Sequence, residues 1–297
     1  RSRLELGDYP PLMLEFARGV TTGTPFAGQR RYRLATQCRI HPRYRSYILL
    51  EQRIYEAYRL LAPAAFRTRL VEITYVDPAE PWAPRTRPGF LIEDIDDLAR
   101  RVGLREQRVP AVEPEALDPA AATLLGLFQF MIATPDWSAH LPTDGRDECC
   151  HNVRVLAPRE GAGGWVGVPF DFDQAGLIDA EYAAPSPAVG VRRVRQRIYR
   201  GLCSRNDQLP GSIGRFQAAR PAIEALFAPA GGISASASRR ALVYVEAFYA
   251  IIADPAQVQE KIVRYCRPDP EIGAMSVAGT PASGAAAASG SSAGRLP

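Results

Sequence analysis

The residues best suited to chemistry lie in three short stretches, Asp136-Trp137-Ser138, His151-Asn152 and Val168-Pro169-Phe170-Asp171-Phe172-Asp173. The last is an apolar, strand-type run that delivers two aspartates at its end. A second such run, Asn152-Val153-Arg154-Val155-Leu156, precedes it across the Gly-rich turn Glu160-Gly161-Ala162-Gly163-Gly164. Together they read as a β-hairpin with acid and amide groups at its mouth. Phosphoryl transfer needs oxygen ligands that hold a divalent ion against phosphates, and a further carboxylate that orients or deprotonates the attacking hydroxyl. Asn152, Asp171 and Asp173 are the candidates for the first duty, and Asp136 for the second. Alternation along a strand would put Asp171 and Asp173 on one side and Phe170 and Phe172 on the other.

The elements that must position these groups follow from periodicity. Ala120 to Ala133 is apolar almost all round and reads as a buried helix ended by Pro135, which leaves Asp136 in a loop pinned by Trp137. From Tyr44 to Leu61, Tyr47, Leu50, Ile54, Tyr58 and Leu61 recur at helical intervals, and Pro63 stops the pattern. Glu51 falls on the border of that stripe, where a carboxylate needs a basic partner, and Glu56 falls on the solvated face. Strands are expected at 11–16 and 32–36 around a Gly/Thr loop, and at 66–76 and 90–95 around the proline-rich 77–84. Asp94, Asp96 and Asp97 precede Arg100 and Arg101, the order a helix dipole favours. Residues 105–118, polar and rich in Pro and Glu, mark a boundary between lobes.

Beyond the hairpin, Val189 to Gly201 reads as an arginine-rich helix with a solvated face. Three more helices are expected: 215–227, broken near Pro221, then 238–253 and 256–266. From Gly273 the Ala/Gly/Ser composition lacks the bulk for a core, so the tail reads as disordered. The plan is α+β and two-lobed. A small β-rich N-lobe with one helix (1–104) and a linker (105–118) lead to a larger, mainly helical C-lobe containing the hairpin (119–268), followed by a tail (269–297).

At 297 residues and 46% hydrophobic, the chain has enough apolar mass for a large domain or two lobes. A net charge of +4 is too mild at this length to argue for nucleic acid. Lys261 is the only lysine among 36 basic residues, a bias that reads first as GC-rich coding. No run is long and apolar enough to span a membrane. The opening Arg1-Ser2-Arg3 lacks an initiator methionine, so the compartment is open between a bacterial cytoplasm and export by a signal removed upstream.

The five cysteines, Cys38, Cys149, Cys150, Cys203 and Cys266, show no CxxC spacing, and their odd number leaves at least one thiol unpaired within the chain. In an exported protein, a bridge from Cys149 or Cys150 to Cys203 would staple the segment after Asp136 to the arginine-rich stretch. Adjacent Cys149-Cys150-His151 do not converge naturally on a tetrahedral zinc. Ser138, His140 and Asp136 are too close in one loop to form a nucleophile–base–orienter line.

The order of elements resembles the protein-kinase-like fold, and the local motifs resemble the CotH kinase family within it. His151-Asn152 is similar to that family's HN pair, and Val168-Pro169-Phe170-Asp171-Phe172-Asp173 to its I-P-W-D-x-D motif, while Asp136 stands at the catalytic-loop position. The resemblance implies ATP bound between the lobes with Mg²⁺ or Mn²⁺, Asp136 as base, and Asn152, Asp171 and Asp173 as metal ligands. It also implies Glu51 on the inward helix, Glu93 at the inter-lobe linker Phe90–Asp94, and a protein or small-molecule hydroxyl as acceptor.

The chain departs from the pattern in three ways, the first being Pro135 before the loop aspartate, where a smaller or polar residue is expected. The interval from Asp136 to Asn152 is long and needs a folded insert to bring the two together. Without a lysine in the first lobe, Arg33, Arg39 or another arginine would have to contact the phosphates, which keeps a nucleotide-binding pseudokinase as the alternative. A third class, an arginine-rich binder of acidic surfaces or nucleic acid, would use residues 192–200 and weaken steeply with salt.

Overall fold

A computed structural model describes residues 8–17, 19–140, 149–161, 163–229 and 231–269. Its elements are β1 (Leu12–Glu15), β2 (Arg31–Thr36), α1 (Pro42–Leu61), β3 (Thr68–Asp77), β4 (Glu80–Glu93), α2 (Ile95–Arg101), β5 (Leu104–Gln107), α3 (Pro119–Ile132), β6 (Val153–Pro158), β7 (Val166–Pro169), α4 (Leu209–Phe227), α5 (Ala235–Ala253) and α6 (Pro255–Lys261). Two antiparallel sheets form, β1-β2-β4-β3 and β5-β6-β7, with α1 packed on the first and α3 on the second. This is an α+β architecture.

Local chemistry explains most boundaries. α1 starts with Pro42 in its first turn, where a missing N–H costs nothing, and the His41 ring accepts the Arg43 amide. α3 is capped by Asp118, which accepts the Ala121 amide at 2.7 Å, and ends at Ala133 in the left-handed region with φ of 54°. Asp94 caps α2 and accepts the Asp96 amide at 3.0 Å, as the acid-then-arginine order implies.

One apolar core runs through both halves of the chain. Leu50, Ile54 and Tyr58 of α1, Phe128 and Met131 of α3, Val168 of β7, Phe216 of α4 and Phe248 of α5 all belong to it. The lobes expected from the sequence therefore share their packing, and α1 lies against α3 and α4 as well as against the first sheet. Glu56, expected in solvent, instead ties α1 to β3 by accepting the Thr68 hydroxyl at 2.7 Å.

Four expectations about secondary structure differ from what is observed. The proline-rich 77–84 is not a loop, because β4 begins at Glu80. Among the described residues, β3 is the only strand paired with 80–88, so that stretch can hold residues that lack an N–H on its other edge. Residues 105–118 begin inside β5, which pairs with β6; Leu-Arg-Glu-Gln is too short and polar to announce an edge strand. Helix α4 starts at Leu209 and runs through Pro221 unbroken. Residues 191–200 form no helix; Arg197 and Arg200 reach inward, while Arg192 and Arg193 stay exposed as expected. The expected disordered tail lies outside the described residues, and so does most of the insert between Asp136 and Asn152.

Arg197 illustrates why the arginine-rich stretch is not a solvated face. Its guanidinium donates to the Met131 carbonyl at 3.2 Å and the Tyr244 carbonyl at 2.6 Å, and lies 3.6 Å from the Tyr244 ring centroid. Burial pushes its pKa down to about 10. The cysteine expectation also changes: Cys203 is bridged to Cys266, and Cys149 to Cys150, leaving Cys38 as the free thiol among the described residues. The Cys203 bridge therefore ties the start of the helical region to its end.

Candidate active site

The three motif stretches meet at the mouth of the β6–β7 hairpin. Ser138 and His151 form an isolated antiparallel bridge, with each amide donating to the other's carbonyl at 3.0 and 3.1 Å. This pinch closes the long insert. His151 Nε2 then lies 3.0 Å from Asp136 Oδ2, and Asn152 Nδ2 donates to the Asp136 carbonyl at 2.8 Å. The His-Asn pair grips Asp136 by side chain and backbone at once.

Two further contacts hold that loop. Arg200 donates to the Pro135 carbonyl, and burial pushes the Arg200 pKa down to about 10. Gly176 donates to the Ala133 carbonyl at 3.0 Å, and a Cβ on Gly176 would come within 2.4 Å of the Val194 carbonyl oxygen, so no larger residue fits there. Asp136 itself is exposed at the rim. Its hydrogen bond to His151 holds its carboxyl below the usual range, with that ring's charge and Arg200 adding to the effect.

From the hairpin the network crosses to α1. The Phe170 amide donates to the Asn152 carbonyl at 3.1 Å, which places the two aspartates one step from the His-Asn pair. β7 ends at Pro169, so strand alternation does not govern residues 170–173. Asp171 turns into the left-handed region with φ of 66°, and Asn152 does the same at 52°. Asp and Asn tolerate this conformation better than other residues with a Cβ, and such strain gathers where side chains must be aimed. The turn buries Phe172 completely, packs its ring 4.7 Å from Tyr55, and leaves Asp171 and Asp173 lining one cavity. The expectation that both acids share a side holds, through a turn and not a strand.

That cavity, about 290 Å³, lies between β2, α1 and the 171–174 turn, and its wall includes Arg33, Cys38, Glu51, Tyr55 and Tyr182. Tyr55 accepts the Asp171 amide on its hydroxyl at 3.0 Å. Glu51 is buried and accepts the Phe172 amide. Burial pushes its carboxyl well above the usual range, and the charges of Asp173 and Asp171 push it further. The basic partner expected for Glu51 is absent: among the described residues no ion pair joins it to Arg33. Arg33 instead stands over the Phe170 ring, 5.5 Å from its centroid.

Glu93, expected to face the nucleotide at the linker, spends its carboxylate elsewhere. Arg101 grips it with two bonds of 2.9 and 2.8 Å, and the Arg67 amide donates to it at 3.0 Å. Its residue still borders a second, smaller cavity of about 120 Å³, which Arg33 and Phe170 also line. Both cavities share Arg33, Tyr55 and Ile92, so they adjoin across these residues.

Among the described residues, no three His, Cys, Asp or Glu side chains stand close enough to hold one metal ion by themselves. Asp171 and Asp173 line one cavity, whereas Asn152 does not border it and turns its amide nitrogen to the Asp136 carbonyl.

Sequence reasoning missed three groups that shape the site. Tyr55 was within reach, since it follows Glu51 by four residues on the same helical face. His151 as the partner of the Asp136 carboxylate, and Arg200 as the holder of its loop, depend on contacts between distant segments. Among the described residues no helix is long and apolar enough to cross a membrane. Comparisons with family models, curated proteins and solved structures find no match to this chain.

Proposed function

We propose that the chain is an ATP- and Mg²⁺- or Mn²⁺-dependent phosphotransferase of two-lobed, kinase-like type, related in its motifs to CotH kinases and acting on a hydroxyl of a protein or small molecule. One observation carries this reading: a continuous network joins Asp136, His151, Asn152, Phe170, Asp171, Tyr55, Phe172 and Glu51 at the mouth of a cleft. Residues that phosphoryl transfer would need are thus collected from four separate segments.

In this reading Asp136, exposed and held ionised by His151, accepts or orients the acceptor's proton. Asp171 and Asp173 would hold the metal, which supplies charge neutralisation across the phosphates. Arg33 faces the phosphates from β2. Glu51, poor in positive neighbours, accepts the Phe172 amide and so fixes the turn that carries Asp171 and Asp173.

A second reading, a pseudokinase that binds nucleotide as a scaffold, is favoured by one feature. Glu51 faces Asp171 and Asp173 and makes no ion pair with Arg33, so the cation–carboxylate pair that orders phosphates in kinases is not formed.

The test is thermal unfolding with ATP alone and with ATP plus Mg²⁺ or Mn²⁺, on wild type and Asp171→Ala, followed by transfer of labelled γ-phosphate. A ligand present at ~100 times its dissociation constant adds about 2.7 kcal/mol. Metal-dependent stabilisation that disappears in Asp171→Ala, together with label transfer lost in Asp136→Asn, is the expected result. Stabilisation without transfer selects the pseudokinase. No stabilisation at saturating nucleotide overturns both readings.

A further inference from the structure

Phe170 lines the smaller cavity beside Arg33, which borders both cavities, and two arginines lie against its ring. The Arg33 guanidinium is 5.5 Å and the Arg154 guanidinium 5.2 Å from the ring centroid. They come from different sheets, Arg33 from β2 and Arg154 from β6, and both line the smaller cavity. Stacking on an aromatic face fixes the plane of a guanidinium and leaves its N–H edge able to donate.

Three of that cavity's four acids are engaged, and the fourth, Asp96, stands exposed in solvent. Glu93 is held by Arg101, Asp94 caps α2, and Glu106 lies 3.0 Å from Arg108 and 3.7 Å from Arg154. Arg33 makes no ion pair among the described residues. Two cations on one ring repel each other, and an anion bridging them removes that cost. Guanidinium forks match the oxygens of phosphate bidentately.

The geometry points to Arg33 and Arg154 as a two-arginine clamp that grips the oxygens of a polyphosphate between the two sheets. The clamp rests on the nucleotide reading of this cleft and names which cations take the charge. Arg154 lies outside the motif residues that suggest the site.

Calorimetric titration of the full chain with inorganic tripolyphosphate, without base or metal, tests it. Methionine at either position keeps the apolar stem on Phe170 and removes the charge. Arg33→Met and Arg154→Met should each weaken binding about tenfold to a hundredfold, while Arg239→Ala, exposed on α5, should leave it unchanged. Should Arg154→Met fail to fold, Arg154→Lys replaces it, with binding several-fold weaker because the charge remains but the stacked fork is lost.

Loss in all variants alike, including Arg239→Ala, means diffuse charge attraction and overturns the clamp. Absence of tripolyphosphate binding to the wild type also overturns it. If ATP with Mg²⁺ binds and Arg154→Met changes neither affinity, the clamp fails while the phosphotransferase reading stands. If tripolyphosphate binds through both arginines and ATP does not, the clamp stands and that reading fails.

Discussion

Replacing Glu93 with alanine should destabilise the protein by about 3–5 kcal/mol, the usual cost of removing one partner of a buried ion pair. The carboxylate is 2% exposed and Arg101 23%, so the guanidinium left behind is only partly rescued by water. Three bonds to the carboxylate vanish, two from Arg101 and one from the Arg67 amide. Arg101 keeps its bonds to the Ala65 carbonyl at 2.8 Å and the Pro63 carbonyl at 3.3 Å, which places the expected cost toward the lower end of that range.

The structural consequence is local. Glu93 closes β4 and Arg101 closes α2, so the pair joins the end of the first sheet to the segment after α1. Equilibrium unfolding in urea is the assay, supported by a melting temperature that should fall by about 2–4 °C per kcal/mol. A double-mutant cycle with Arg101→Met separates the pair's coupling from each residue's other contacts. A loss below about 1 kcal/mol, the range of exposed pairs, would refute the argument that burial makes this contact strong.

Three further predictions concern the site and the bridges. Glu51→Gln should stabilise the protein at pH 8, since Glu51's raised carboxyl pKa means its favourable, neutral form is complete below the usual carboxylate value of about 4.3 and is lost as pH rises through the folded value; urea unfolding that shows no gain at pH 8 relative to pH 4.5 would contradict this. Asp136, held low by His151, contributes stability that is present above about pH 3.9 and lost as pH falls through its folded pKa. Removing the ring with His151→Ala should raise that pKa, which carboxyl NMR titration would read, and an unmoved titration would show that the hydrogen bond does not set it. Opening the Cys203–Cys266 bridge, whose cysteines are separated by 63 positions, should cost about 4 kcal/mol, visible as a lower melting temperature in the Cys203→Ala/Cys266→Ala pair; equal melting in wild type and variant would rule that out.

Periodicity alone located α1, α3, the β6–β7 hairpin and the capped α2, because a buried helical stripe or a short apolar run bounded by turn residues is a local pattern. The same local signal marked Asp136, Asn152, Asp171 and Asp173, since acids and amides at the ends of apolar elements stand out without knowledge of the fold. Where a residue's role depends on what comes to meet it, the chain is silent. Glu51 looks like a boundary carboxylate awaiting a cation, yet the turn at Asp171 brings two acids and the Phe172 amide against it. The arginines at 197 and 200 look solvated, yet Tyr244, Met131 and Pro135 arrive from distant elements to take their N–H groups. Cysteine pairing, the edge strand β5 and the shared core are likewise set by three-dimensional packing. Secondary structure follows from neighbours along the chain, whereas charge environment, burial and partner choice follow from neighbours in space, and those only the tertiary structure decided.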